Sequence, residues 1–492
     1  MDNYKSFSKN AKKILNSPIC NNKMQTAHYT AMENLFCPET NKNGYISLGI
    51  AENVLSFDVM KDKLSVDPNF CQRLTQYSDM GGFKDCRESI AKLLQNHLFK
   101  YKPINSDLLV NYKQIILANG ATPLLENIFN MFCDQNDVAL IPSPMFPNFI
   151  PFAGQRFGVK IVDVKSEVYS NNNDNSQIID FELNLEEFER QYQLHPVKMV
   201  VLCNPNNPTG YIFSKKQIKQ LVDWCREKKI HLLSDEIYAL SIFNRDFCSG
   251  KSDIGTREDN ENNNNNDNDN DESAVSGGSD EMDGANNIIP TNEFSSIYDI
   301  CKGDMGEYVH LVSSFSKDFG LNGFRAGYFY SQNQDVLRYL LSTSNYYSCS
   351  NIVQSALINI IEDKRYLCSF IKENQKRLTS SYNFATKTLD HFNIPYLKSS
   401  AGLFLTIDLR KCLNKLPELN NDFNNNNNNN NCPFKKEIQL WELLFDNRVI
   451  VNPGKLCYFN EPGFYRLIFT LSNEFVYNGI ERISKVYNQL IS

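Results

Sequence analysis

Apolar positions in this chain fall into short unbroken runs, separated by stretches in which they recur at helical spacing. Gln114-Ile-Ile-Leu-Ala118 reads as a buried strand, and a helix follows over about Pro123–Cys133. Asp137–Ile141 is a second strand, closed by the turn Pro142-Ser-Pro144. Lys198–Cys203 is a third, ending at Asn204-Pro205. Ser214 to Lys229 reads as a helix, with Ser214 and Gln217 at the spacing of a capping box. Ile230–Leu233 and Val309–Ser313 complete the set. Runs too short for helices and too apolar to face water predict strands covered on both faces. With helices between them, they predict an α/β fold on a mostly parallel sheet. Ligands of such sheets collect at the carboxyl ends of the strands.

Two polar tracts interrupt the pattern. One runs from about Lys251 to Asn287, and the other contains the eight-residue run Asn424–Asn431. Neither offers apolar surface to offset chain entropy, so both read as disordered insertions in surface loops. A milder polar patch, Ser170–Gln177, reads as the cap of another loop. The rest is globular in composition: 41% of the 492 residues are hydrophobic and 22% charged. About 150 residues per domain would give roughly three domains. Discounting the tracts leaves one large domain and one small.

The net charge of −7 is a local matter. Residues 251–300 hold 13 Asp/Glu and 2 Lys/Arg, a local −11 that leaves the remainder at +4. A weakly positive body without a clustered basic stripe argues against a nucleic-acid partner. No apolar run reaches the roughly 18 residues of a membrane-spanning helix. Met1-Asp2-Asn3-Tyr4-Lys5 leads into no apolar secretory segment. The 14 cysteines are scattered singly, without a C-x-x-C pair. That is the usage of reduced thiols in the cytoplasm, not of a disulfide framework or metal site.

Chemistry gathers at the predicted strand ends. Asn119-Gly-Ala-Thr122 lies between a strand and a helix N-terminus, where free N–H groups and a hydroxyl suit a phosphate. No G-x-G-x-x-G follows a first strand, so a dinucleotide site is not expected. In Asn204-Pro-Asn-Asn-Pro-Thr-Gly210, Pro205 and Pro208 stiffen a polar loop around the amide of Asn207. Asp235, at a strand end in Ser234-Asp-Glu-Ile-Tyr238, is costly to bury unless it meets a cation. Lys317 sits among hydroxyls in Ser313-Ser-Phe-Ser-Lys-Asp318, as a Schiff-base nucleophile would. Arg325, flanked by Gly323 and Gly327, can grip a phosphate bidentately. Each has a bland reading alone: turn, helix cap or surface charge. Their convergence favours a site.

These segments resemble fold-type I pyridoxal-phosphate (PLP) enzymes of the class I/II aminotransferase family, especially its 1-aminocyclopropane-1-carboxylate (ACC) synthase-like members. The resemblance runs over roughly residues 40–490 outside the tracts. It also rests on Leu48-Gly-Ile-Ala-Glu-Asn-Val-Leu55, Ser400-Ala-Gly-Leu-Phe404 and Glu461-Pro-Gly-Phe-Tyr-Arg466. It implies an N-terminal arm and part of the small domain over 1–60, a PLP-binding large domain with a seven-stranded sheet over 61–345, and a C-terminal small α/β domain over 346–492. Lys317 would carry PLP, and Asp235 would pair with its ring nitrogen. Asn207 and Tyr238 would bond the phenolic oxygen, and Phe146 would stack on the ring. Ala121, Thr122, Ser314 and Arg325 would hold the phosphate, and Arg466 the substrate α-carboxylate. Tyr77 would reach the partner's site in a homodimer. Glu52, within Ala51-Glu52-Asn53, matches the glutamate that ACC synthases place near the sulfonium chain of S-adenosylmethionine.

The pattern also departs from plant ACC synthases. Met80 stands where they carry a tyrosine, and Tyr77 takes the common aminotransferase position. Met145 and Pro151 replace their tyrosine and arginine. Conversion of S-adenosylmethionine to ACC is therefore the leading expectation. An aminotransferase or C–S lyase on the same scaffold is the alternative, and a catalytically silent binding protein is the third reading. Deleting Glu258–Ala285 or Asn424–Asn431 is expected to leave PLP content and melting temperature nearly unchanged, since disordered loops add little to a fold. A fall of many degrees in a thermal melt would show that the tracts pack.

Overall fold

The computed structural model describes residues 8–15, 23–61, 63–64, 71–103, 110–171, 176–243, 293–417 and 434–492. Both asparagine-rich tracts lie outside the described residues. Seven strands build the central sheet: β1 (Ile115–Ala118), β2 (Val138–Ser143), β3 (Lys160–Lys165), β4 (Val197–Cys203), β5 (His231–Asp235), β6 (Val309–Ser314) and β7 (Gly327–Ser331). They lie in the order β1-β7-β6-β5-β4-β2-β3. Neighbours from β6 to β3 run parallel, while β7 is antiparallel to both β6 and β1. This is the mostly parallel α/β sheet that the apolar runs predict.

Alternation along each strand sends side chains to opposite faces. Leu140, Val200, Leu202, Leu232 and Leu311 enter one core. Ala139, Ile141, Met199, Val201, Leu233 and Val312 enter the other. Covering both faces explains the unbroken apolar runs, and each buried Leu, Ile or Val contributes about 1.5–3 kcal/mol. Two strands escaped the pattern for physical reasons. β3 is the sheet's terminal strand, with exposed lysines at both ends. β7 starts directly after the Arg325 turn and follows it without a break.

Helix α1 (Ala121–Phe132) begins two residues earlier than expected. Gly120 has φ 91°, which turns the chain so that Ala121 and Thr122 already lie in the first turn. Helix α2 (Lys215–Lys228) carries the expected capping box: the Gln217 N–H donates to Ser214 Oγ at 3.2 Å, and the Ser214 N–H to Gln217 Oε1 at 3.0 Å.

A second sheet has its own core. It comprises Asn452–Pro453, Phe464–Ile468, Phe404–Asp408, Tyr396–Leu397, Ser176–Glu182 and Glu167–Asn171 in that order. Helices α3 (Lys364–His391) and α4 (Asn473–Ile491) pack on it through Leu378, Tyr382, Ile480 and Ile483. Of the polar patch Ser170–Gln177, Ser170, Asn171, Ser176 and Gln177 are strand, and residues 172–175 lie outside the described residues. Ser170 and Asn171 pair with Ile179 and Ile178, so ladder bonds override side-chain polarity there. Among the described residues no helix is long and apolar enough to cross a membrane.

Candidate active site

The carboxyl ends of β1, β4, β5 and β6 share one sheet edge with the start of β7, where Gly327 pairs with both Ala118 and Ser314. A cavity of about 840 Å³ lies there. Ten of the predicted site residues line it: Ala121, Thr122, Phe146, Asn207, Asp235, Tyr238, Ser314, Lys317, Arg325 and Arg466. The short helix Phe315–Asp318 carries Lys317 and is capped by Ser314, whose Oγ accepts the Ser316 N–H at 3.2 Å. Buried Asp318 anchors this turn by accepting the Leu240 N–H at 3.1 Å and the Ser241 hydroxyl at 2.7 Å.

The charges of the site are poorly solvated and poorly paired. Lys317 Nζ donates to the Ala51 carbonyl at 2.6 Å. Burial pushes its pKa down to about 8, with Arg466 and Arg325 acting in the same direction and Glu52 opposing. Asp235 is buried with the Ile237 N–H 3.3 Å away, and desolvation raises its carboxyl to about 7. Arg466 is 4% exposed. It donates to Asn207 Oδ1 at 2.8 Å and to the Gly49 carbonyl at 2.7 Å, and its Nε has no partner among the described residues. Phe404 lies 5.4 Å beneath that guanidinium and meets the Tyr238 ring edge-on at 5.2 Å. Burial also pushes the Tyr238 hydroxyl far up.

Two predicted residues stand apart. Glu52 is exposed and outside the cavity lining, although its charge reaches Lys317. Tyr77 is fully exposed and does not reach the cavity of its own chain. The structure adds residues that the motifs missed. Asn322 donates to Ala51 O at 3.3 Å, and Asn452 to Gly49 O at 3.2 Å. Lys455, Leu456 and Tyr458 supply another wall. Asn322 lies between the motifs of Lys317 and Arg325, whereas the 452–458 segment shows no pattern of chemistry in sequence.

The residues present fit PLP. Gly120 is a cradle that a Cβ would fill, since such an atom would sit 2.8 Å from the Arg325 guanidinium. The first turn of α1 opens beside it, as a phosphate requires. Asp235 awaits a cation such as a protonated ring nitrogen, and a cation there would lower its pKa. Asn207 gives its carbonyl oxygen to Arg466, which leaves its amide N–H groups for an oxygen acceptor in the cavity.

Sheet order, strand-end lysine and buried acid together define the fold-type I class of PLP enzymes. The family model for aminotransferases of class I and II matches residues 46–483, and the chain belongs to that family, whose members use PLP. Among curated relatives, 1-aminocyclopropane-1-carboxylate synthase of Nicotiana tabacum is 28% identical over 454 residues, spanning 88% of this chain and 77% of the relative. 1-Aminocyclopropane-1-carboxylate synthase 8 of Arabidopsis thaliana is 27% identical over 459 residues, spanning 90% and 83%. Among solved structures, an aspartate aminotransferase mutant of Thermus thermophilus matches with TM-score 0.67 and 17% identity, covering 98% of this chain and all of the other. An aromatic aminotransferase of Pyrococcus horikoshii matches at TM-score 0.63 and 20% identity, covering 90% and 96%. At these identities the solved structures share the fold.

The lowered pKa of Lys317 makes a prediction about cofactor uptake. The neutral amine is the nucleophile, so PLP binding by cofactor-free protein should accelerate as pH rises through about 8 and then level off. Stopped-flow absorbance above roughly 400 nm measures it. A rate that is flat from pH 6.5 to 9 would contradict the assignment.

Proposed function

We propose that this protein is a PLP-dependent lyase that converts S-adenosyl-L-methionine to 1-aminocyclopropane-1-carboxylate and methylthioadenosine. The observation that carries this reading is Glu52. It is the acidic neighbour whose field acts on Lys317, and its backbone is tied down on both sides. Ala51 O accepts from Lys317, Thr470 Oγ1 donates to Glu52 O at 2.5 Å, and Asn53 Nδ2 donates to Asn374 Oδ1 at 2.8 Å. An exposed carboxylate on a backbone held beside the Lys317 contact suits a cationic sulfonium substrate. The ACC synthases among the relatives support the same choice.

When bound, PLP supplies the electron sink that makes an amino-acid α-proton acidic. Lys317, Asp235, Asn207, Tyr238 and Arg325, with the first turn of α1, would hold it. Arg466 grips the substrate carboxylate, a planar bidentate task that lysine cannot copy. Lys317 takes the α-proton as general base, favoured by a pKa near 8. The α-carbon then attacks the γ-carbon. The new Cα–Cγ bond closes a three-membered ring while the Cγ–S electrons leave with sulfur as neutral methylthioadenosine. Closure needs the two carbons held within roughly 3–3.5 Å. Glu52 contributes by drawing the sulfonium chain back over the site.

A specific observation favours amino transfer as the second reading. Buried Met145 and the cavity-lining Pro151 provide no polar group where the plant enzymes present tyrosine and arginine. Glu52→Gln separates the two. It should lower ring closure at least tenfold more than transamination of a simple amino acid such as L-alanine. Equal losses, or no ACC from the native protein, would replace the lyase reading with the aminotransferase.

We also propose a homodimer with shared active sites. Tyr77 and Met80 are exposed, as are Tyr346 and Ile352, and Asn351 ties these segments by donating to the Gln76 carbonyl at 2.6 Å. Such an apolar face on a globular enzyme marks an interface. Sedimentation should find a dimer, and a fully active monomer would refute it.

A further inference from the structure

Glu437 has no part in the chemistry above, yet it is completely buried. It lies on the helix Lys435–Asp446, beside Ile438, which lines the cavity. One of its carboxylate oxygens accepts the Lys455 N–H at 2.7 Å, and the other accepts the Gly463 N–H at 2.5 Å. Its own carbonyl accepts the Tyr465 hydroxyl at 2.7 Å. These donors bracket residues 455–463. That loop supplies Lys455, Leu456 and Tyr458 to the cavity and re-enters the sheet at Phe464–Ile468, the strand of Arg466.

The loop is irregular and needs a brace. Tyr458 has φ 60° and Gly463 φ 108°, and a Cβ on Gly463 would lie 2.7 Å from the Arg410 side chain. Backbone in such conformations has few ladder partners, so its buried N–H groups must be satisfied otherwise. A carboxylate that accepts N–H groups from both ends of one loop does this with charge-assisted bonds. Binding walls built on loops are sharp only when a supporting residue fixes them.

We propose that Glu437 is a positioning residue for the substrate. By gripping both ends of loop 455–463 it sets the wall at Lys455–Tyr458 and the register of Arg466. Lys317, Asp235 and Arg325, at the edge of the large sheet, make no hydrogen bond to that loop among the described residues. This rests on the cavity being the catalytic site, and on neither choice of substrate.

The protonation of Glu437 gives the inference a distinctive readout. Burial pushes its carboxyl up to about 7, against the opposing pull of the two N–H bonds and of Lys455. The other groups around it are Cys457, whose thiol burial raises to about 11, the Tyr465 hydroxyl, raised further, and Arg466, whose charge acts on Cys457. Above about pH 7 both oxygens of Glu437 accept. Below it, one oxygen carries a proton and one grip on the loop weakens.

The experiment uses PLP-loaded wild type and Glu437→Gln, with S-adenosylmethionine and L-methionine as probes. Turnover and equilibrium binding, read from cofactor absorbance, are measured from pH 6 to 8. Wild type should show weaker binding as pH falls through about 7. Glu437→Gln should retain its PLP and keep kcat within about threefold for whichever probe turns over. Its KM and dissociation constants should rise about tenfold and lose the pH dependence between 6 and 8. Glu437→Asp, which keeps the charge, should recover part of the affinity and the pH dependence, and it carries the test if the glutamine variant fails to fold. A kcat loss at unchanged KM, a pH dependence that survives in the glutamine variant, or an aspartate variant no better than glutamine would each overturn the proposal. Failure of ACC formation from S-adenosylmethionine bears on the choice of substrate and leaves the L-methionine binding arm intact.

Discussion

The backbone strap over residues 48–54 lays carbonyl oxygens onto two cations that make no salt bridge among the described residues. Gly49 O takes the Arg466 guanidinium and Ala51 O takes the Lys317 ammonium. Burying a charge without a counter-ion is expensive, and neutral dipoles offset only part of that cost. Segments far apart in sequence hold the strap in place. The Leu48 N–H donates to Ile450 O and the Ile468 N–H to Leu48 O, both at 2.9 Å, and Val54 N–H reaches Thr470 O at 3.3 Å. Asn53 is anchored through Asn374, which also donates to the Asp318 carbonyl at 3.2 Å. The lysine turn and the strap over it thus share one hydrogen-bonded support.

That support makes the two halves of the cavity interdependent. Asn207 belongs to the loop after β4, yet its carbonyl oxygen holds Arg466 from the second sheet. Phe404 lies under both Tyr238 and Arg466. A shift of the second sheet would disturb Asn207 and Tyr238, proposed to hold the cofactor, together with Arg466, the proposed substrate grip. Arg466 also depresses the Lys317 pKa. A substrate carboxylate on Arg466 would cancel that charge and leave Lys317 a stronger base when substrate arrives.

Most of the central sheet was legible because burial on both faces writes itself into sequence as continuous apolar runs. The edge strand Lys160–Lys165 was not, since a terminal strand obeys a weaker rule. Cofactor-directed residues were legible because chemistry limits the residue types that can sit at a strand end: Lys317, Asp235 and Arg325 are unusual there. Lys455, Asn452 and Glu437 were invisible for the opposite reason. A lysine, an asparagine or a glutamate is ordinary on a surface helix or loop, and only the fold turns these inward. Ser170, Asn171, Ser176 and Gln177 read as loop because their side chains are polar, whereas their ladder partners decide their conformation.

Ring closure and amino transfer share every residue up to removal of the α-proton, so the machinery at the sheet edge cannot by itself select between them. Selection falls to groups that act on the substrate side chain. Here those groups pull in different directions. Glu52 is an acidic neighbour whose charge acts on Lys317, whereas buried Met145 and cavity-lining Pro151 offer no polar group. A sulfonium is attracted by the first feature and gains no polar contact from the second. Binding of the adenosyl group would then depend on burial against Phe146, Pro147 and Phe152, at roughly 25 cal/mol per Å² of apolar surface covered. Such contacts hold a flat heterocycle without fixing its orientation as hydrogen bonds would. On the proposed reading, such a cavity would be less selective for S-adenosylmethionine than a site whose polar groups read the adenosyl moiety directly.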